Sequence, residues 1–253
     1  MSPLSSKTVF ITGASRGIGA ATALRFAQAG VRRFILHYNT NQPGAEEAAL
    51  AVRALGAESK LVQADFGSAE GIEEGLSVYQ ELGWHADILI NNAGSLVKRA
   101  KLAEFTADLF DRVMNLNVKS AYFLTQAVAP GMIAKGEGQI INLSSIAARN
   151  GGGAGATVYA AAKAAVAAIT KGTAKELAPF GVRVNAVSPG TVDNDFHVQF
   201  SNRQILDSVI AQTPAGKLGD NEEIADTILF LCTEPSRYIY GQTIEINGGM
   251  YMV

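Results

Sequence analysis

Tyr159 and Lys163 lie four residues apart near the start of an alanine-rich stretch of this 253-residue chain, so a helix there would carry both side chains on one face. A phenol titrating near ~10 is a poor acid or base at neutral pH, and a neighbouring ammonium favours its phenolate and lowers that value. Upstream, Ser144 and Ser145 close an apolar run that reads as a strand. A hydroxyl at that end can hydrogen-bond a substrate carbonyl and polarise it. Taken alone, a Y-x-x-x-K pair also fits an exposed amphipathic face with no chemistry.

A second constellation sits at the other end of the sequence. Thr12-Gly13-Ala14-Ser15-Arg16-Gly17-Ile18-Gly19 follows the first apolar run and opens into a helical pattern. Glycines there let the backbone turn tightly against a pyrophosphate, and the helix N-terminus adds unpaired amides and partial positive charge. The spacing is G-x-x-x-G-x-G, a variant of the commoner G-x-G-x-x-G. Gly13, Ser15 and Gly17 also spell G-x-S-x-G, the nucleophile elbow of serine hydrolases, with Ser15 as nucleophile. Such an elbow normally lies several strands into the sheet with a histidine downstream. Here one strand precedes it, and His37, His85 and His197 have no suggestive setting.

The elements that must position these groups alternate along the chain. Short apolar runs predict strands at 9–11, 34–36, 61–62, 88–90, 140–143, 182–187 and 243–246. Helical patterns cover 18–29, with Ile18, Ala21, Leu24 and Phe26 inward, then 44–55, 69–82, a stretch reaching about 132, 157–177 and 224–232. Strands apolar throughout, separated by helices, predict a parallel sheet covered on both faces: a single-domain, Rossmann-type, doubly wound seven-stranded α/β fold over 1–253. The glycine cluster at 151–155 reads as a loop. Apolar residues at 48% and charged residues at 17% exclude disorder, and a net charge of −2 gives no general pull on nucleic acid or anionic membranes. The one cysteine, Cys232, excludes an internal disulfide and a cysteine zinc cluster, and no metal site is expected. No apolar run reaches 18 residues and positions 1–7 lack a signal-peptide layout, so the expectation is a soluble cytoplasmic protein without membrane contact.

Together, Thr12-Gly13-x-x-x-Gly17-Ile18-Gly19, Asn91-Asn92-Ala93-Gly94, Asn117, Ser145, Tyr159-x-x-x-Lys163 and Ser188-Pro189-Gly190 resemble the short-chain dehydrogenase/reductase family, from Thr12 to Gly249. The C-terminal stretch 240–252 is similar to its 3-oxoacyl-acyl carrier protein reductase branch. The resemblance implies an oxidoreductase moving a hydride between a nicotinamide and a ketone or secondary alcohol. Tyr159 is then proton donor or acceptor, Lys163 lowers its pKa and binds the nicotinamide ribose, Ser145 orients the carbonyl, and Asn117 holds a water linking Lys163 to solvent. Ser145 lies fourteen residues before the tyrosine and Ser144 fifteen, where the family has thirteen; a one-residue insertion in 151–155 explains this, with Ser144 the alternative. Cofactor contacts would come from Gly13, Ser15, Arg16, Gly17, Ile18, Gly19, Tyr38, Asn39, Asp65 (adenine), Asn91, Ala93, Gly94, Tyr159, Lys163, Pro189, Gly190 and Val192.

No carboxylate ends the second strand, where His37-Tyr38-Asn39-Thr40-Asn41 stands, and Arg16 can pair with a 2′-phosphate, so NADP(H) is expected over NAD(H). The segment 191–215 would form a substrate lid, with Asn194 at the family's usual threonine and His197 facing substrate or solvent. Carrier-docking arginines are missing near Gly136 and Phe180, which leaves a polar ketone, a sugar-acid ketone and a 3-oxoacyl thioester open. The family also implies a homotetramer, built on the helices at 107–132 and 157–177 and on the last strand. A dinucleotide sensor without turnover is the non-catalytic alternative.

Overall fold

The computed structural model describes residues 4–253; the part of the N-terminal reading on 1–3, and the side chains of His197 and Val198, lie outside the described residues. The chain runs β1 (Thr8–Ile11), α1 (Gly17–Gln28), β2 (Arg33–Tyr38), α2 (Gln42–Ala54), β3 (Glu58–Gln63), α3 (Ala69–Glu81), β4 (Ile88–Asn91) and α4 (Ala107–Met114). A π-helical turn, Asn115–Lys119, leads into α5 (Ser120–Lys135). Then come β5 (Gly138–Leu143), α6 (Ala147–Asn150), α7 (Thr157–Leu177), β6 (Val182–Pro189), α8 (Asp195–Phe200), α9 (Arg203–Gln212), α10 (Asn221–Leu231) and β7 (Thr243–Ile246).

All seven strands are parallel, in the order β3-β2-β1-β4-β5-β6-β7. Side chains on a strand alternate between faces, so a strand buried on both sides must be apolar at every position. On β1, Val9 and Ile11 pack on one face with Phe26 of α1, Val52 of α2 and Ile228 of α10. Phe10 packs on the other face with Ile72 and Tyr79 of α3, and with Leu124 and Val128 of α5. The chain leaves β1 outward to β2 and β3, then returns to place β4 on β1's free side. A crevice opens where the connections diverge, beyond the carboxyl ends of β1 and β4. No helix among the described residues is long and apolar enough to cross a membrane.

The sheet, its order of alternation and the bounds of α7 and β7 match the sequence expectation; three details differ. Leu24 faces solvent, because the buried face of α1 is Gly19, Thr22, Ala23, Phe26 and Ala27. The helical stretch before 132 divides at the π turn. The helices α6, α8 and α9 were not expected: two are of six residues or fewer, and α9 buries none of its residues, so none carries a long apolar stripe.

At the end of β2 the fold builds a support for the first loop. The His37 ring stacks on Phe66 with centroids 3.9 Å apart. Its Nδ1 accepts from the Gly13 amide at 3.1 Å, so Nε2 carries the proton and donates to the Ala64 carbonyl at 3.0 Å. Only the neutral ring can do both. Burial pushes its pKa down from 6.5 to about 4, opposed by the Ala64 bond and the charge of Asp65. A depressed histidine pKa means that the unfolded chain takes up the proton first, so this contribution is complete above pH 6.5 and lost as pH falls toward 4. Urea unfolding should reveal about 3 kcal/mol of His37-dependent destabilisation between pH 7 and 4, read as the difference between wild type and His37→Gln. Parallel pH profiles for the two proteins would remove the ring from this role.

Candidate active site

The glycine loop owes its shape to close backbone approach. Gly13 has φ +63°, and a Cβ on Gly19 would lie 2.2 Å from the Gly13 carbonyl oxygen, so α1 can begin hard against the loop only with glycine there. Arg16, at the N-cap, is extended and gives the helix no side-chain cap, leaving the first-turn amides of a 12-residue helix free to meet an anion. The loop is pinned to β4: the Asn92 side-chain amide donates to the Thr12 and Gly13 carbonyls at 2.8 and 3.0 Å. The Thr12 hydroxyl accepts from the amides of Asn92 and Ala93.

From this loop a cleft of about 630 Å³ runs to the catalytic candidates. Its walls include Gly13, Ser15, Arg16, Gly17, Ile18, Asn39, Ala93 and Gly94, together with Ser145, Tyr159, Lys163, Pro189, Gly190 and Val192. The structure thus brings most of the sequence-selected residues to one cavity, whose size suits a small-molecule site. Five do not line it. Tyr38 is buried, and Gly19 packs on the loop from behind. Asn91 points under the sheet, donating to Asn142 at 2.9 Å, Thr125 at 3.2 Å and the Ala121 carbonyl at 3.3 Å. Asp65, expected on adenine, is turned to the Gly67 amide, Arg112 (2.9 Å) and Asn39. These contacts outweigh partial burial and hold its carboxyl below the usual range. Asn117 acts from behind the wall.

Lys163 organises the catalytic end. It is 3% exposed, and its Nζ donates to the carbonyl of Leu143, the last residue of β5, at 2.8 Å. Burial pushes its pKa down to about 8. Its Nζ lies 5.6 Å from the centre of the Tyr159 ring. A Cβ on Gly94 would sit 2.8 Å from that Nζ and 2.7 Å from Asn117 Oδ1, so glycine alone lets β4's end approach this pair. Asn117 is held by its amide, which donates to the carbonyls of Val113 (2.8 Å) and Ser95 (2.9 Å). Its Oδ1 is buried with no partner among the described residues, an acceptor suited to a water beside Lys163.

Tyr159 is half-buried at the cleft floor, hydrogen-bonded to Ser145. Its phenol is not acidified: burial pushes it up to about 12, with the Ser145 bond opposing. That corrects the expectation drawn from Lys163: its Nζ lies 5.6 Å from the ring centre, and desolvation of the phenol sets the direction of the shift. The two serines differ in commitment. Ser144 is buried and donates to the Lys163 carbonyl at 3.0 Å, while Ser145 faces Tyr159 and accepts from the Ala147 amide at 3.1 Å.

Asn92, His37 and Arg99 also line the cleft and were not selected from the sequence. For Asn92 the signal was available: adjacent residues at a strand end point oppositely, so only one of Asn91 and Asn92 can reach the loop. The segment 191–215 contains α8 and α9, with Asn194 accepting from the Phe196 amide and donating to Asn221.

A family model described as enoyl-(acyl carrier protein) reductase matches residues 13–251. The 3-oxoacyl-(acyl-carrier-protein) reductase FabG of Staphylococcus epidermidis is 36% identical over 247 residues, 98% of this chain and all of that one. Among solved structures, a protein described as a candidate gluconate dehydrogenase from Agrobacterium tumefaciens superposes with a TM-score of 0.90 at 32% identity, over 99% of this chain and 98% of that one. Another, described as a candidate NAD(P)-dependent gluconate 5-dehydrogenase from Beutenbergia cavernae with bound NADP, gives 0.90 at 31%, over 98% and 97%. With its sheet order, glycine loop and Ser-Tyr-Lys cleft, this chain belongs to the short-chain dehydrogenase/reductase family, as a pyridine-nucleotide-dependent oxidoreductase of ketones and secondary alcohols.

Proposed function

We propose that the chain reduces a small ketone with NADPH, and runs the reverse oxidation when the alcohol and NADP+ dominate. The carrying observation is that Tyr159, Ser145 and Lys163 share one cleft with a glycine loop whose helix amides are uncapped. The residues fit a dinucleotide: the Gly13 cradle and α1 N-terminus suit the pyrophosphate, and Pro189, Gly190 and Val192 suit the carboxamide side. Bound there, the nicotinamide supplies the hydride.

The rest is the work of this chain's side chains. Ser145 donates a hydrogen bond to the substrate carbonyl and orients it. Tyr159, neutral because burial holds its pKa near 12, gives its proton to the developing alkoxide, which is far more basic than a phenolate. Lys163 keeps positive charge behind the phenol as it becomes anionic, and Asn117 Oδ1 holds the water that returns the proton. Ser144, whose hydroxyl is given to the helix backbone, positions Lys163 and stays out of the chemistry.

Among the described residues the adenosine end of the cleft is lined by Arg16, Asn39, Thr40 and Asn41; Asp65, bonded to Asn39, is already paired with Arg112, and Asp195 faces Arg16 at 3.7 Å. That pair is solvent-exposed and worth at most about 1 kcal/mol, so a 2′-phosphate can displace it. NADPH is therefore the preferred reductant. A reducing cytoplasm suits a chain whose single thiol is buried and free. We further assign a homotetramer, because Phe110 of α4 and Tyr122 of α5 are exposed on helices expected to pair, and Tyr251 and Met252 are exposed beyond the last strand.

Tyr159→Phe should lose about 10²–10⁴-fold in turnover with little change in NADPH affinity by fluorescence titration; near-normal turnover removes the phenol from the mechanism. Arg16→Ala should raise KM for NADPH by about 10–100-fold and leave that for NADH nearly unchanged. Equal losses with both reductants sink the 2′-phosphate role. Light scattering should give about four times 26.6 kDa, and a monomer would overturn the assembly.

A further inference from the structure

One cation of the cleft has no part in this chemistry. Arg16 faces Asp195, and Lys163 is tied to Leu143. Arg99, in the loop that leaves β4, lines the same cavity. Its Nε donates to the carbonyl of Phe200, at the end of α8, at 2.8 Å. Its Nη1 donates to the carbonyl of Ala154, in the glycine-rich loop, at 2.9 Å. These bonds set the guanidinium between two walls of the cleft and use two of its five N–H groups. No carboxylate pairs with it among the described residues.

The loop that aims it is constrained. Val97 has φ +62°, the one such value outside glycine among the described residues, and a β-branched residue is strained there. The Ser95 hydroxyl holds it in place by accepting from the Val97 amide at 3.0 Å. Along the wall, the Tyr159 ring is 5.9 Å from that of Phe196, which is 5.0 Å from that of Phe200, whose carbonyl Arg99 grips. Arg99 and Tyr159 thus belong to one wall of the cleft, linked through Phe200 and Phe196.

We propose that Arg99 is a specificity-determining residue, and that the ketone substrate carries a carboxylate several bonds from its reacting carbonyl: an oxo-carboxylic acid. A guanidinium fork matches a carboxylate in charge and geometry, and a cleft with an unmatched cation penalises a neutral ligand that leaves it unpaired. The proposal rests on the reductase reading for turnover but not for binding.

The test uses 2-, 3-, 4- and 5-oxohexanoate, each against its methyl ester, with NADPH oxidation as readout. Wild type should favour the acid by about 30-fold in kcat/KM, most strongly when the ketone is remote from the carboxylate. In Arg99→Met that ratio should fall to near one through KM, with Arg99→Lys between them. Because the ratio is internal to each protein, loss of the Phe200 and Ala154 anchors, which slows acid and ester alike, cancels. A ratio near one in wild type, or one unchanged in Arg99→Met, overturns the proposal, as does faster reduction of a neutral 3-oxobutyryl thioester. Calorimetry of hexanoate against hexanamide on the enzyme saturated with NADP+ separates the two readings. Hexanoate binding lost in Arg99→Met supports the carboxylate site even if no ketone turns over, an outcome that would count against the reductase reading alone. Equal binding of acid and amide overturns the site.

Discussion

The constraint on which the catalytic end depends is the burial of one ammonium. Placing Lys163 inside the protein moves its pKa from 10.5 to about 8, a penalty on the charged form of about 3 kcal/mol. A single backbone oxygen, that of Leu143, accepts from it, and this ties the middle of the chemistry to the last residue of β5. Gly94 must then be glycine for β4 to end beside it, Ser144 must spend its hydroxyl on the same helical turn, and Asn117 must present its oxygen nearby. The phenol follows from the lysine through the four-residue spacing on α7.

The sheet makes that burial possible. With all strands parallel, the ends of β1, β4, β5 and β6 gather at one edge and their connections supply the loop, Gly94, Ser145 and Pro189. Beneath this edge runs a polar column: Asn91 donates to Asn142, its register partner, and Asn142 donates to Thr170 of α7. In an otherwise apolar interior such paired amides fix how β4, β5 and α7 align, because slippage by one residue leaves buried polar groups unmatched. That alignment sets where Tyr159 stands relative to Ser145.

What the sequence disclosed and withheld follows the same physics. Strands buried on both faces announce themselves as apolar runs, and the glycine loop and the Tyr159–Lys163 spacing are dictated by local backbone geometry. Hence the sheet, α7 and the Tyr159–Lys163 pair could be read directly, while Ser145 was preferred to Ser144 only through the family resemblance. The side-chain partners of Asp65 and Asn91 could not be read, because which way a polar side chain turns depends on distant residues, Arg112 and Asn142 respectively. His37 had no motif around it; its meaning lies in Phe66 and Gly13, brought together by the pairing of three strands. The phenol's pKa went the opposite way from expectation because proximity along a helix says nothing of desolvation.

The π turn at Asn115–Lys119 has a consequence for how this chain can vary. A widened turn amounts to one extra residue in an otherwise regular helix, and it weakens local bonding to do so. Removing a residue there would repair the helix while rotating everything upstream by roughly 100° relative to α5. Asn117 would swing off Lys163, or α4 would lose its seat. A change of length at this spot therefore disturbs either the site or the packing of α4, even though the segment looks like ordinary helix.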